Sequence, residues 1–235
     1  MTGITLNIPL VICQVLAFVP AIVLHEVGHG FAAYKLGDPT AKRQGRLTLN
    51  PLAHVDTFGT VIMPALLMLM SMPVFGYAKP VPYNPGYFKN PRRDDFLVGM
   101  AGPLANLLQA ILGSFVAFAL DLTLGNATGM AAQLVDSMAF QYFYWYFLPL
   151  YVMINLYLMF FNLLPVPPLD GSSIIALLVP RKHLGTYYRI QQYALPVFML
   201  LVIVVPYVLH VNPIGAYLDV TAGTLGNLLY PHELF

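Results

Sequence analysis

Hydrophobic positions in this chain form long unbroken runs, and polar positions are confined to the stretches between them. Ile4 to Leu24 carries no charge, Phe96 to Leu120 and Ala139 to Leu164 are long and apolar, and Tyr193 to Leu209 is a further clear run. A helix needs ~20 residues to cross ~30 Å of hydrocarbon. These runs therefore predict membrane-spanning helices. Val61 to Phe75 is apolar but short, and predicts a re-entrant helix or a short tilted span. Trp145, with Tyr142, Tyr144 and Tyr146 around it, reads as an interfacial aromatic belt at the outer end of its run. Residues 213–230 predict a short helix on the outer surface. No internal repeat or low-complexity linker divides the chain, so residues 1–235 are expected to form one domain.

Composition sharpens this picture. Hydrophobic residues make up 58% of the chain and charged residues 9%, with a mean hydropathy of +0.71; soluble domains carry ~25% charge. A water-soluble enzyme is excluded, and 15 Phe with 15 Tyr exclude disorder. A net charge of +1 with no long basic run argues against nucleic acid. The single cysteine, Cys13, excludes an internal disulfide and a multi-cysteine metal site. What remains is an all-α membrane protein, a polytopic helix bundle in the lipid bilayer with a short re-entrant or strand-like loop region. Nothing in the sequence sets an oligomeric state. Residues 1–24 contain no Lys or Arg, so the first run is expected not to be a cleaved signal peptide.

The cations predict an orientation. Lys35, Lys42, Arg43 and Arg46 follow the first run; Lys79, Lys89, Arg92 and Arg93 precede the third; Arg181, Lys182 and Arg189 follow the fourth. The loop 121–138 has acids but no base. By the positive-inside rule the basic stretches face the cytoplasm of a cell-membrane protein and that loop faces outward. This count works best if Val61–Phe75 dips in and returns.

The first run ends in His25-Glu26-Val27-Gly28-His29. Histidines at i and i+4 on a helix face one point, which suits two ligands of one tetrahedral zinc. Glu26, beside them, can take a proton from zinc-bound water. The plainer alternative is two interfacial histidines with a chance glutamate, yet Glu26 and Glu233 are the only glutamates in the chain. The first charge after His29 is Lys35, so the motif lies within the membrane toward its cytoplasmic face. Ionisable groups at that depth are costly and signal function.

A hydrolytic zinc site takes a third protein ligand and keeps one position open. Asp56, Asp94 and Asp95 sit in basic loops and read as solvated. Asp170 instead follows the string Asn162-Leu163-Leu164-Pro165-Val166-Pro167-Pro168-Leu169, ahead of Gly171, and lies below the surface. It reads as a helix N-cap or as the third ligand, and beside the histidine pair the ligand reading leads. His54 with Asp56 reads as a solvated loop, with a site that supports the metal ligands or binds a regulatory metal as the alternative. His183, His210 and His232 read as interfacial.

These motifs, with Gly102-Pro103-Leu104-Ala105-Asn106 in the third run, resemble the site-2 protease family of intramembrane zinc metalloproteases, from about residue 5 to 205. Gln44 to Pro51 and Phe75 to Pro82 look like its compact prokaryotic branch, without a PDZ or CBS domain. The resemblance implies one zinc per chain on His25, His29 and Asp170, Glu26 as general base, and Asn162 as substrate or oxyanion support. Asn106 reads as structural. The implied substrate is a transmembrane protein, cleaved within or near its span. An unwound substrate needs backbone partners, and residues 44–50 and 77–84 read either as edge strands or as connecting loop. A transporter or scaffold is disfavoured, since no paired halves are visible and neither needs Glu26. A prenyl-protein protease would need a later glutamate ligand, and only Glu233 remains.

Overall fold

The computed structural model describes residues 7–63, 66, 78–124, 128, 130–191 and 193–232, and every regular element among them is helical. Most of the predicted run Val61–Phe75 lies outside those residues. Its start belongs to a π-helical turn, Thr57–Ile62, whose N-cap Asp56 accepts a hydrogen bond from Gly59 N–H.

Helix α1 spans Ile8–Lys35. The Asn7 side chain caps its N-terminus by accepting from Leu10 N–H. It stops at Gly37, whose φ of +106° lies in the left-handed region, and Asp38 N–H then returns to the Ala33 carbonyl at 2.9 Å. A short helix α2, Thr40–Arg43, follows. Helix α3, Pro91–Leu124, starts on a proline, where a missing N–H costs nothing, and Asp94 reaches back to accept Asn90 N–H. After the small α4, Met130–Val135, comes α5, Met138–Asn162, capped by the Ser137 hydroxyl and containing a π-helical turn over Phe143–Phe147. Pro165, Pro167 and Pro168 prevent its continuation. Shorter helices complete the chain: α6 at Ser172–Leu178, α7 at Leu184–Gln191, α8 at Ala194–Leu209 and α9 over 213–229.

Helices α1, α3 and α5 are long and apolar enough to cross a membrane. They pack on one another as the body of the bundle. In lipid no hydrophobic force drives helices together, so close contact depends on small residues. Ala17, Ala21, Ala110 and Ala117 are fully buried at the crossings. A Cβ on Gly28 would stand 3.0 Å from the Ala101 carbonyl and 3.2 Å from the Ala105 methyl, so α1 and α3 nearly touch there. Leu108, Leu112, Phe115 and Phe118 point outward, an apolar face that suits lipid.

Two expectations change. The run Tyr193–Leu209 yields a helix of 16 residues, which at 1.5 Å per residue is ~24 Å, short of a full crossing. Residues 213–229 do not lie on an outer surface. Tyr217 donates to the Phe160 carbonyl and Tyr230 to the Tyr144 carbonyl, so α9 runs antiparallel along α5. Ala222 and Tyr230 are buried in the same apolar cluster as Leu148, Val152 and Leu156. The aromatic belt around Trp145 is partly absorbed by this packing: Trp145 stays exposed, while Tyr144 is buried and meets Asp121 and His232.

Replacing Gly28 with Leu should force α1 from α3 and lower the thermal midpoint of the purified protein by several degrees. Leu108→Ala, on the outward face, should leave that midpoint nearly unchanged.

Candidate metal centre

His25 and His29 stand one turn apart on α1 and face α3 and the Asp170 turn. Both are buried. Their Nε2 atoms lie 3.1 Å apart, and Asp170 places Oδ2 3.1 Å from His25 Nε2 and Oδ1 3.3 Å from His29 Nε2. Ligand atoms ~2.0–2.1 Å from a tetrahedral zinc are about 3.3 Å from one another. Each nitrogen thus lies near this spacing from the other and from one oxygen of the carboxylate, a cluster compact enough for one such ion.

The hydrogen-bond network decides the tautomers. His29 Nδ1 is 2.7 Å from the Val98 carbonyl, which can only accept, so Nδ1 carries the proton. His25 Nδ1 meets Asn106 Oδ1. The orientation of that amide is set in turn: its nitrogen donates to the Ala21 carbonyl at 3.1 Å and to Asn155 Oδ1 at 2.7 Å. His25 Nδ1 therefore also carries its proton. In the neutral rings both Nε2 atoms are lone pairs. The short contact between them is a meeting of two acceptors, with a carboxylate as the third. Asp170 Oδ2 is buried and lacks a hydrogen-bond partner. Converging acceptors without a donor fit a cation, and among the described residues this is the one group of three such ligands.

Glycines make room for the arrangement. A Cβ on Gly102 would overlap both imidazoles. One on Gly99 would meet Ser173 and the Asp170 carbonyl. The Gly102–Asn106 motif thus does more than let helices approach: Gly102 admits the rings and Asn106 holds one of them. Asn106 reads as structural in the sequence, and its bond to His25 depends on α3 facing α1, which no local pattern reveals. Gly171 is required for close approach and not for its φ of −58°. Its N–H donates to the Asn162 carbonyl at 2.6 Å, and a Cβ would strike the Leu163 and Leu164 carbonyls. The proline turn is thereby folded back onto the end of α5, which brings Asp170 to the histidines.

Glu26 projects from a different face of α1. Its Oε2 accepts Val81 N–H at 2.8 Å. A cavity of about 670 Å³ joins Glu26, the three ligand candidates and Asn162. Apolar side chains of Phe18, Ile22, Phe161 and Phe198 line much of it. Asn162 keeps its nitrogen on the Leu158 carbonyl at 3.1 Å.

Several sequence expectations are corrected. Asp94 and Asp95 are buried, not solvated: Asp94 accepts Asn90 N–H, and Asp95 lines the cavity and accepts the Tyr83 hydroxyl at 2.8 Å. His54 is buried as well, with Nε2 on the Thr48 carbonyl, and belongs to neither a solvated loop nor the metal cluster. Residues 44–50 and 78–84 form no strand. Several of their main-chain groups go to side chains, as Arg46 to the Lys79 carbonyl, Val81 N–H to Glu26 and Asn84 N–H to Asp38 show. Residue 77 lies outside the described residues.

Asn106→Leu should remove the acceptor that orients His25. Ligand-orienting partners are worth ~10–100-fold in metal affinity, so chelator competition should show a loss of that order in a folded protein. Gly102→Val should abolish metal binding outright.

Comparison with known proteins agrees with this geometry. Residues 13–205 match the model of peptidase family M50. The chain is 39% identical over 203 residues to the Bacillus subtilis protein named "Putative zinc metalloprotease YwhC", covering 86% of this chain and 82% of that one. It is 29% identical over 155 residues to the protein named in the same words as Rip2 in Mycolicibacterium smegmatis, covering 66% of this chain and 52% of that one. No solved structure matches. The chain belongs to peptidase family M50, the site-2 protease family, and is a membrane zinc metalloprotease.

Proposed function

We propose that this protein is an intramembrane endopeptidase, a single domain over residues 1–235, that cuts transmembrane protein substrates within or near their spans. The observation that carries the reading is the convergence of two imidazole nitrogens from α1, a helix long and apolar enough to cross a membrane, and the Asp170 carboxylate on an apolar cavity that Glu26 also lines. His25, His29 and Asp170 would hold one zinc per chain, which would supply Lewis acidity and a water nucleophile at neutral pH.

Glu26 acts as general base. Its Oε2 is occupied by Val81 N–H, which leaves Oε1 to take the proton from the attacking water and return it to the leaving amine. Asn162 retains one amide hydrogen and its oxygen beyond the bond to Leu158, and offers them to the substrate main chain or the developing oxyanion. Phe18, Ile22, Phe161 and Phe198 give an apolar stretch of substrate a dry surface in place of lipid. The basic residues around α2 and at the start of α3 support a cytoplasmic-facing centre in the cell membrane.

Three measurements test this. Glu26→Gln should keep its zinc and lose cleavage by the ~10²–10⁴ typical of a missing base, and cleavage at the wild-type rate would move the base elsewhere. Asp170→Ala should lose most of the metal in elemental analysis, and full retention would reject it as a ligand. For orientation, single cysteines at the exposed positions Gln44, Asn90 and Gln133, introduced after Cys13→Ala, are treated with an impermeant thiol reagent. Gln44 and Asn90 should react only from the cytoplasmic side and Gln133 only from outside. Labelling of Asn90 and Gln44 from opposite sides would reject this topology.

A further inference from the structure

Arg46 is a buried cation that, among the described residues, no carboxylate pairs. Burying a charge is costly unless its donors find partners, and Arg46 Nε is buried without one. Arg46 directs Nη2 at two main-chain carbonyls, Lys79 at 2.6 Å and Pro80 at 3.3 Å. The Pro80 carbonyl and the Val81 N–H belong to the same peptide unit, which is planar and rigid. That one plate is gripped at both ends: Arg46 holds its oxygen, and its N–H donates to Glu26 Oε2 at 2.8 Å.

The surrounding sequence makes this contact specific. Pro80 and Pro82 have no N–H, so Val81 carries the sole main-chain donor over 80–82. Lys79 N–H is fixed on the His54 carbonyl at 2.9 Å, and Asn84 N–H on the fully buried Asp38 at 2.6 Å. Gly30, one turn beyond Glu26, seats the strip on α1: a Cβ there would stand 2.7 Å from Val81 Cγ1 and 2.8 Å from Leu47 Cδ2.

We propose that Arg46 is a positioning residue for the general base, acting through the Pro80–Val81 peptide to hold one oxygen of Glu26 and aim the other. This rests on the reading of Glu26 as the base. A bond to a cation polarises the peptide and strengthens the hydrogen bond at its far end. It also removes the rotation by which the plate would let the carboxylate swing.

The test uses the full-length, zinc-loaded protein and a single-span membrane substrate that it cleaves. Arg46→Met should lower kcat by the ~10²-fold that a misplacement of ~1 Å costs, with KM and zinc content close to wild type and partial recovery in Arg46→Lys. Val81→Pro, which deletes the donor together with the Val81 side chain packed at Gly30, should lower kcat at least to a similar degree. In the Glu26→Gln background Arg46→Met should add no further loss. Wild-type kcat in Arg46→Met or Val81→Pro would overturn the proposal. So would a change confined to KM, or losses that multiply in the double variant. If Arg46→Met does not accumulate, Val81→Pro decides alone. A Glu26→Gln protein as fast as wild type would instead reject the general-base reading itself.

Discussion

The structure depends on one electrostatic constraint: three acceptor atoms, two imidazole nitrogens and a carboxylate, point at one place inside a membrane helix bundle. In a medium without water, such a grouping is strongly repulsive unless a cation holds it. The neighbouring contacts all serve to keep the acceptors unprotonated and aimed. The Val98 and Asn106 oxygens accept hydrogen bonds from the Nδ1–H groups of the two rings, which keeps the protons on Nδ1. Gly102 leaves space for both rings, and Gly171 folds the proline turn back so that Asp170 closes the triangle. Small residues at the helix crossings bring α1 near enough to α3 for these bonds to form.

The two histidines and Glu26, the proposed base, are supported by separate parts of the molecule, although they are neighbours in sequence. A step of one residue turns a helix by ~100°, so His25 faces α3 while Glu26 faces the strip over 79–84. The histidines are bonded to groups on α3, a long spanning helix. Glu26 is bonded to a strip held by Arg46, Asp38 and the His54 carbonyl. A substitution in that strip can therefore disturb Glu26 without disturbing the histidines, and one on α3 can do the reverse.

How much of this was legible in the sequence follows from which signals are local. Run length located α1, α3 and α5 but overextended Tyr193–Leu209, and the spacing of His25 and His29 with an intervening glutamate pointed to zinc. Asp170 stood out because three prolines precede it so closely. Residues 77–84 read equally as an edge strand or as connecting loop, and the described part, 78–84, is loop, because the sequence does not reveal that Arg46, Glu26 and Asp38 take main-chain groups there. Asp94 and Asp95 looked solvated because charged neighbours surround them in sequence, but an N-terminal turn and the Tyr83 hydroxyl bury them. The path of α9 along α5 rests on Tyr217 and Tyr230, which no pattern in the chain links to their partners.

The chain of amides behind His25 shows why the residue at 106 must be an amide and not merely polar. Asn155 donates to the Tyr151 carbonyl, Asn106 donates to Asn155 and to the Ala21 carbonyl, and His25 donates to Asn106. Every proton in the series points away from the metal centre, so the series ends in a bare lone pair at His25 Nε2. Aspartate at 106 would still accept from His25, and would even raise its basicity. It would then set its other oxygen against two acceptors, Ala21 O and Asn155 Oδ1, with no donor between them. Leucine would satisfy neither neighbour. A side chain that donates twice on one side and accepts on the other meets all three demands at once, and Asn106 uses both of its donors and its oxygen to do so.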